Sequence, residues 1–156
     1  MRISVTGHMN ITDDTAELVR EAIADLIAGT PDLVGISCIA RGADTVFAEA
    51  VLAAGGELEV VVPSRDYREA KVKPDDAERF DTLIGKASKV RVMDFDTAGR
   101  DAYEAANEVL VGDTDRLIAV WDGKVSERAG TGTVVELART RGVPVDVVWP
   151  VGAERD

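Results

Sequence analysis

The residues best placed to do chemistry are Gly130-Thr131-Gly132-Thr133, which stand between an apolar run (Leu117–Trp121) and a helix-forming segment. Two glycines let a backbone approach a ligand closely. Two hydroxyls, with the N–H groups of a helix's first turn, can donate to an anion. Glu136 follows one helical turn after Thr133. It has the chemistry of a general acid or base, or of an acceptor for a ribose hydroxyl, and equally of an acid that complements the helix dipole. The turn is not a Walker A loop, because no Gly-Lys-Ser/Thr follows it, and Gly-x-Gly-x-x-Gly is missing after the first strand.

Strands alternating with helices must position these groups. Arg2–Thr6, 33–40, 58–62, 89–93, 116–121 and 144–149 read as strands. Between them, helices start at Thr12-Asp13-Asp14, after Gly42, at Asp75-Asp76, at Arg100 and at Thr133. This order predicts an α/β three-layer sandwich, a mostly parallel, doubly wound sheet of about six strands with helices on both faces. Residues 1–150 are read as a single domain and 151–156 as a loose tail.

In such a sheet, ligands sit beyond the carboxyl ends of the strands. That rule gathers Gly7, His8 and Asn10 after the first strand and Arg41, Gly42 and Asp44 after the second. It adds Ser64, Arg65 and Tyr67 after the third, and Asp122 with the glycine turn after the fifth. Arg41 has the geometry to grip a phosphate, and Asp44 to cap the following helix. His8 is the only histidine, a residue type that in such a loop is often bonded within the protein. With no histidine or cysteine cluster, neither a metal site nor a cofactor is expected. Arg65, Arg68, Lys71 and Lys73 form a basic run that either attracts phosphate or faces solvent beside Asp66 and Glu69.

The net charge of −11 speaks against a nucleic-acid partner, which needs a basic face. The single cysteine, Cys38, excludes an intrachain disulfide and reads as a core residue. No apolar run reaches the roughly 18 residues of a membrane span, and the N-terminus has no signal-peptide pattern, so no membrane association and a cytoplasmic location are expected.

Three stretches resemble the SLOG superfamily, the Rossmann-like group containing the LOG phosphoribohydrolases, the YpsA-type proteins and the DprA proteins. Ser37 to Asp44 resembles the S-G-x-A-x-G-x-D segment of the DprA branch, with Cys38 where glycine is usual. Arg128 to Glu136 resembles the P-G-G-x-G-T-x-x-E motif of the LOG branch. Ala106-Asn107, followed by Leu117 to Gly123, resembles the YpsA-type pattern and adds Asn107 to the candidate site. The resemblance implies a nucleotide-derived small molecule as ligand, with the glycine-threonine turn on its phosphate, and a homodimer or larger homo-oligomer. In LOG enzymes the motif glutamate works with an arginine of the preceding helix. Glu136 matches that glutamate, and the arginine's place is held by Ala106 or Asn107. Binding or sensing is therefore the leading expectation. The alternative is N-glycosidic hydrolysis of a nucleoside monophosphate, with Glu136 and Arg41 as catalytic residues.

Overall fold

A computed structural model describes residues 1–124 and 130–156. The elements in chain order are β1 (Arg2–Gly7), α1 (Asp13–Ile27), β2 (Val34–Ser37), α2 (Ala43–Ala53), β3 (Glu57–Val62), α3 (Tyr67–Lys71), α4 (Pro74–Lys86), β4 (Lys89–Val92), α5 (Arg100–Gly112), β5 (Arg116–Val120), α6 (Thr131–Thr140) and β6 (Val145–Val148). The strands form one six-stranded parallel sheet in the order β4-β3-β2-β1-β5-β6. The chain steps outward from β1 to β4, then returns to β5 on the other side of β1. The direction of winding thus reverses between β1 and β5, where Gly7 lies opposite Val120.

Alternation along the strands builds the layers. Leu58, Val60 and Val62 of β3 pack with Phe80 and Leu83 of α4, whereas Val61 joins Ile36, Ala106 and Leu110 on the opposite face. In β5, Ile118 and Val120 meet α1 and α2, while Leu117 meets Val134 and Ala138 of α6. So α1, α2 and α4 cover one face, and α5 and α6 the other. The fold is the α/β sandwich the sequence predicts, and its sheet is wholly parallel among the described residues.

Local signals explain most of the boundaries. Thr12 caps α1 by accepting from the Thr15 N–H at 3.1 Å, and Asp13 and Asp14 complement its dipole. The helix buries Val19, Ile23 and Ile27 and leaves Leu26 exposed, a narrower stripe than its sequence suggests. Pro74 opens α4, where its missing N–H costs nothing. None of the described helices is long and apolar enough to cross a membrane.

Two stretches differ from expectation. β2 stops at Ser37, although the apolar run continues to Ala40. Stretch 151–156, expected to be loose, is tied to the loop after β1. Asp156 N–H donates to the Asn10 carbonyl at 2.8 Å, Thr12 N–H to the Glu154 carbonyl at 3.3 Å, and Glu154 N–H to Thr15 Oγ1 at 2.7 Å. Main-chain groups on both stretches, together with the Thr15 hydroxyl of α1, hold it in place.

Candidate functional site

The loop after β1 is shaped by its neighbours. A Cβ on Gly7 would lie 2.4 Å from Ala43 Cβ and 2.8 Å from Val120 Cβ, so only glycine lets α2 start this close to β1. Next, His8 is 8% exposed and packs edge-on against Trp149, with ring centroids 5.6 Å apart. Its Nε2 accepts from the Asp122 N–H at 3.2 Å. Burial pulls the ring's pKa below its usual value, Arg155 adds to the effect, and Asp122 opposes it. Nε2 also lies 3.3 Å from Asp122 Oδ1, so burial and the Asp122 N–H favour the neutral ring against that carboxylate, and His8 joins the ends of β1 and β5.

The loop after β2 is held by its own side chains. Ser37 Oγ donates to the Asp44 carbonyl and accepts from the Ile39 N–H, each at 3.0 Å. Asp44 Oδ2 accepts from the Ala40 N–H at 3.3 Å. These bonds hold Ile39 at a φ of 47°, a left-handed conformation rare for a β-branched residue, and they end the strand. Asp44 does not cap α2 as expected. Gly42 occupies the cap position with no side-chain bond, and Asp44 reaches back into the loop. Desolvation pushes the Asp44 carboxyl up to about 7, against the pull of the Ala40 N–H. At Gly42, φ is 87° and a Cβ would sit 2.6 Å from the Met9 carbonyl oxygen, so the β1 and β2 loops touch there.

The third component follows β5. Trp121 donates from Nε1 to the Lys124 carbonyl at 3.1 Å, and its ring lies beneath the first turn of α6: a Cβ on Gly132 would be 3.4 Å from Trp121 Cζ2. Asp122 Oδ1 accepts from the Lys124 N–H at 3.0 Å, and Arg155 Nη1 lies 3.6 Å from Oδ2. Burial raises the Asp122 pKa, but the Lys124 N–H and the charges around it outweigh that and leave it below the usual carboxylate range. The helix begins at Thr131, two residues earlier than expected, with Gly130 at its cap position. It has no acid in its first turn and, among the described residues, no side-chain cap. The Gly130 carbonyl accepts from Thr133 and Val134, which leaves the N–H groups of Thr131 and Gly132 without an intrahelical partner. Arg128 and Ala129 of the LOG-like motif lie outside the described residues.

Contacts therefore bring Gly7, His8, Gly42, Asp122 and the α6 turn to one end of the sheet, at the β1–β5 reversal. Other candidates are used or placed elsewhere. Ser64 is fully buried and donates to Asp66 Oδ1 at 2.7 Å, so its hydroxyl is committed within the protein. Glu136 and Thr133 are exposed on α6, and Asn107 is half-buried on α5. Arg41 is exposed and lines a pocket walled by α3 and α4 that Glu136 does not enter. Three residues at this edge were not singled out from sequence: Trp121 under α6, Met9, which is 52% exposed beside Gly42, and Phe80. An indole one position past a buried strand, before a glycine turn, was the signal available for Trp121.

No family model matches the chain, and no curated protein matches it either. Solved structures do. DNA processing protein A (DprA) from Streptococcus pneumoniae superposes with a TM-score of 0.71 at 20% identity, over 97% of this chain and 51% of that one. The chain thus spans about half the length of that relative. DprA from Helicobacter pylori, described for its single-stranded DNA binding mode, gives a TM-score of 0.71 at 17% identity, over 100% of this chain and 68% of that one. The molybdenum cofactor binding protein of Rippkaea orientalis gives 0.61 at 19% identity, over 94% and 74%. These likenesses correct one expectation. A net charge of −11 does not set nucleic acid aside, because the H. pylori protein built on this fold is described as binding single-stranded DNA. The physical reason is range: a phosphate responds to charges within a Debye length of about 8–10 Å, not to the sum over the surface. The architecture common to this chain and these structures is a Rossmann-like α/β sandwich built on a parallel sheet.

Proposed function

We propose that this protein binds the phosphate of a nucleotide or nucleotide-derived ligand at the β1–β5 reversal, on the first turn of α6. The observation that carries the reading is the state of that turn, which has a glycine at the cap, no acid in its first turn and, among the described residues, no capping side chain. Such a helix start, at the point where an open parallel sheet changes direction, attracts anions through its N–H groups and its dipole. Trp121, half-exposed below Gly132, offers a ring face for a base. The phosphate's source is a free nucleotide or a single strand; the DNA-binding description of the H. pylori neighbour supports including the latter.

Bond cleavage is the less supported reading. Glu136 is exposed on α6, and Arg41 belongs to a pocket that Glu136 does not line.

The test is a thermal-shift and calorimetric comparison of AMP, related monophosphates and a short oligothymidylate against wild type and Thr133→Glu. Position 133 is exposed, and an acid there favours the helix while repelling an anion. Ligand-induced stabilisation of the wild type that Thr133→Glu abolishes, with an unchanged or higher melting temperature for the free variant, supports the reading. No response to any probe, or equal binding by the variant, refutes it. The monophosphate and oligonucleotide arms identify the source.

A further inference from the structure

The basic run after β3 is divided by its partners. Arg65 pairs with Asp94 and Asp96, and Arg68 holds Asp81 through two bonds of 2.7 Å. Lys71 and Lys73 have no carboxylate partner among the described residues, and neither does Arg41 on the facing loop. Lys86, Lys89, Arg91, Lys124 and Arg139 also lack an acid partner among the described residues, so it is a shared cavity that sets Arg41, Lys71 and Lys73 apart. These three line one cavity of about 160 Å³ between the β2–α2 loop and the α3–α4 pair.

Part of the wall of that cavity is aromatic. Tyr67 and Phe80 are each 5% exposed, with ring centroids 6.2 Å apart, and both line it. Arg79 on the wall is engaged by Glu49, and Asp76 is the one carboxylate there. Neither Trp121, Asp122 nor the α6 turn contributes to the lining. The volume compares with the roughly 150 Å³ that holds one benzene in an apolar protein cavity. It has room for one ring, and its open mouth leaves space for a charged group attached to that ring.

We propose that this pocket is a separate binding site for a small phosphate monoester with an aromatic or apolar stem. The phosphate lies among Arg41, Lys71 and Lys73, and the stem rests on Tyr67 and Phe80. An apolar floor beneath a cationic rim favours such a ligand on two counts: it removes the stem from water, and it gives the phosphate charge-assisted donors in a partly desolvated setting. The site does not depend on the α6 turn, so it stands or falls independently of the reading above.

Phenyl phosphate is the probe, with inorganic phosphate and phenol as its two halves. Titration followed by NMR or calorimetry should show saturable binding of phenyl phosphate, weaker binding of inorganic phosphate and none of phenol. Lys71 and Lys73 are exposed, so the double variant Lys71→Ala/Lys73→Ala keeps its fold, checked by circular dichroism. It should bind phenyl phosphate at least about tenfold more weakly, as expected for losing charge-assisted hydrogen bonds. Thr133→Glu should bind it as wild type does. The proposal fails if phenyl phosphate does not saturate, if the double variant binds unchanged, if phenol or inorganic phosphate binds equally well, or if Thr133→Glu removes binding.

Discussion

The backbone N–H of Asp122 donates to Nε2 of His8 at 3.2 Å, across 114 residues of sequence. This bond requires a neutral imidazole with its proton on Nδ1. Because burial lowers the folded pKa, the unfolded chain takes up the proton first as pH falls. The stability from this group is present above about 6.5 and is lost as pH drops from there through the lowered folded value. His8 is the only histidine, so one NMR titration curve reports it. The midpoint is expected below 6.5; a midpoint at or above that value contradicts the latch.

Asp44 has the opposite sign. Its folded carboxyl is pushed up to about 7, from 3.8. The folded state therefore holds the proton longer, and stability declines as pH rises from about 4 to 7. Asp44→Asn keeps an acceptor for the Ala40 N–H and removes the charge. It should stabilise the protein at pH 8 by on the order of 1–2 kcal/mol after screening, and flatten the pH profile in that window. Chemical denaturation of both proteins at pH 5 and pH 8 checks this.

Two glycines at the site should respond differently to alanine. At Gly7 the new methyl meets carbons at 2.4 and 2.8 Å, and the substitution is expected to cost about 1–3 kcal/mol. At Gly132 the nearest atom lies at 3.4 Å, an ordinary contact, and removing a helical glycine contributes up to about 0.5–1 kcal/mol. A fall in melting temperature for the first and none for the second is the predicted pattern.

Ser4 is fully buried in the middle of β1, between Ile36 and Leu117 on the neighbouring strands, and its hydroxyl has no partner among the described residues. An unmet buried hydroxyl is a cost. Ser4→Ala should leave stability unchanged or raise it by about 1 kcal/mol, measured by urea unfolding. A loss above that size would show that the hydroxyl has a partner.

The layers were legible in the sequence because each strand carries an apolar face and each helix an apolar stripe, as Leu58, Val60 and Val62 or Val19, Ile23 and Ile27 show. The end of β2 was not, because it depends on Ser37 and Asp44 reaching main-chain groups across a loop, and composition does not encode reach. Site membership was legible at the level of loops. The sequence could bring Gly7, Gly42 and Gly132 to one edge, but not say that Ala43 presses on the first or that the second closes on Met9. Ser64 and His8 looked available for a ligand and are taken up within the protein. The split of the basic run into paired arginines and unpaired lysines depends on Asp81, Asp94 and Asp96, which are remote enough that only the folded chain assigns them.

The position of β1 between β2 and β5 also governs how the molecule assembles. Arg2 donates from its N–H to Asp115 Oδ2 across 113 residues, and Ile3 stands beside Arg116. The first strand synthesised thus waits for the last third of the chain before its second edge is closed. Such distant pairing carries a large loop-closure cost and slows folding relative to chains with local contacts. During synthesis the incomplete sheet keeps the open flank of β1 unpaired, an invitation to association with other strands until β5 arrives.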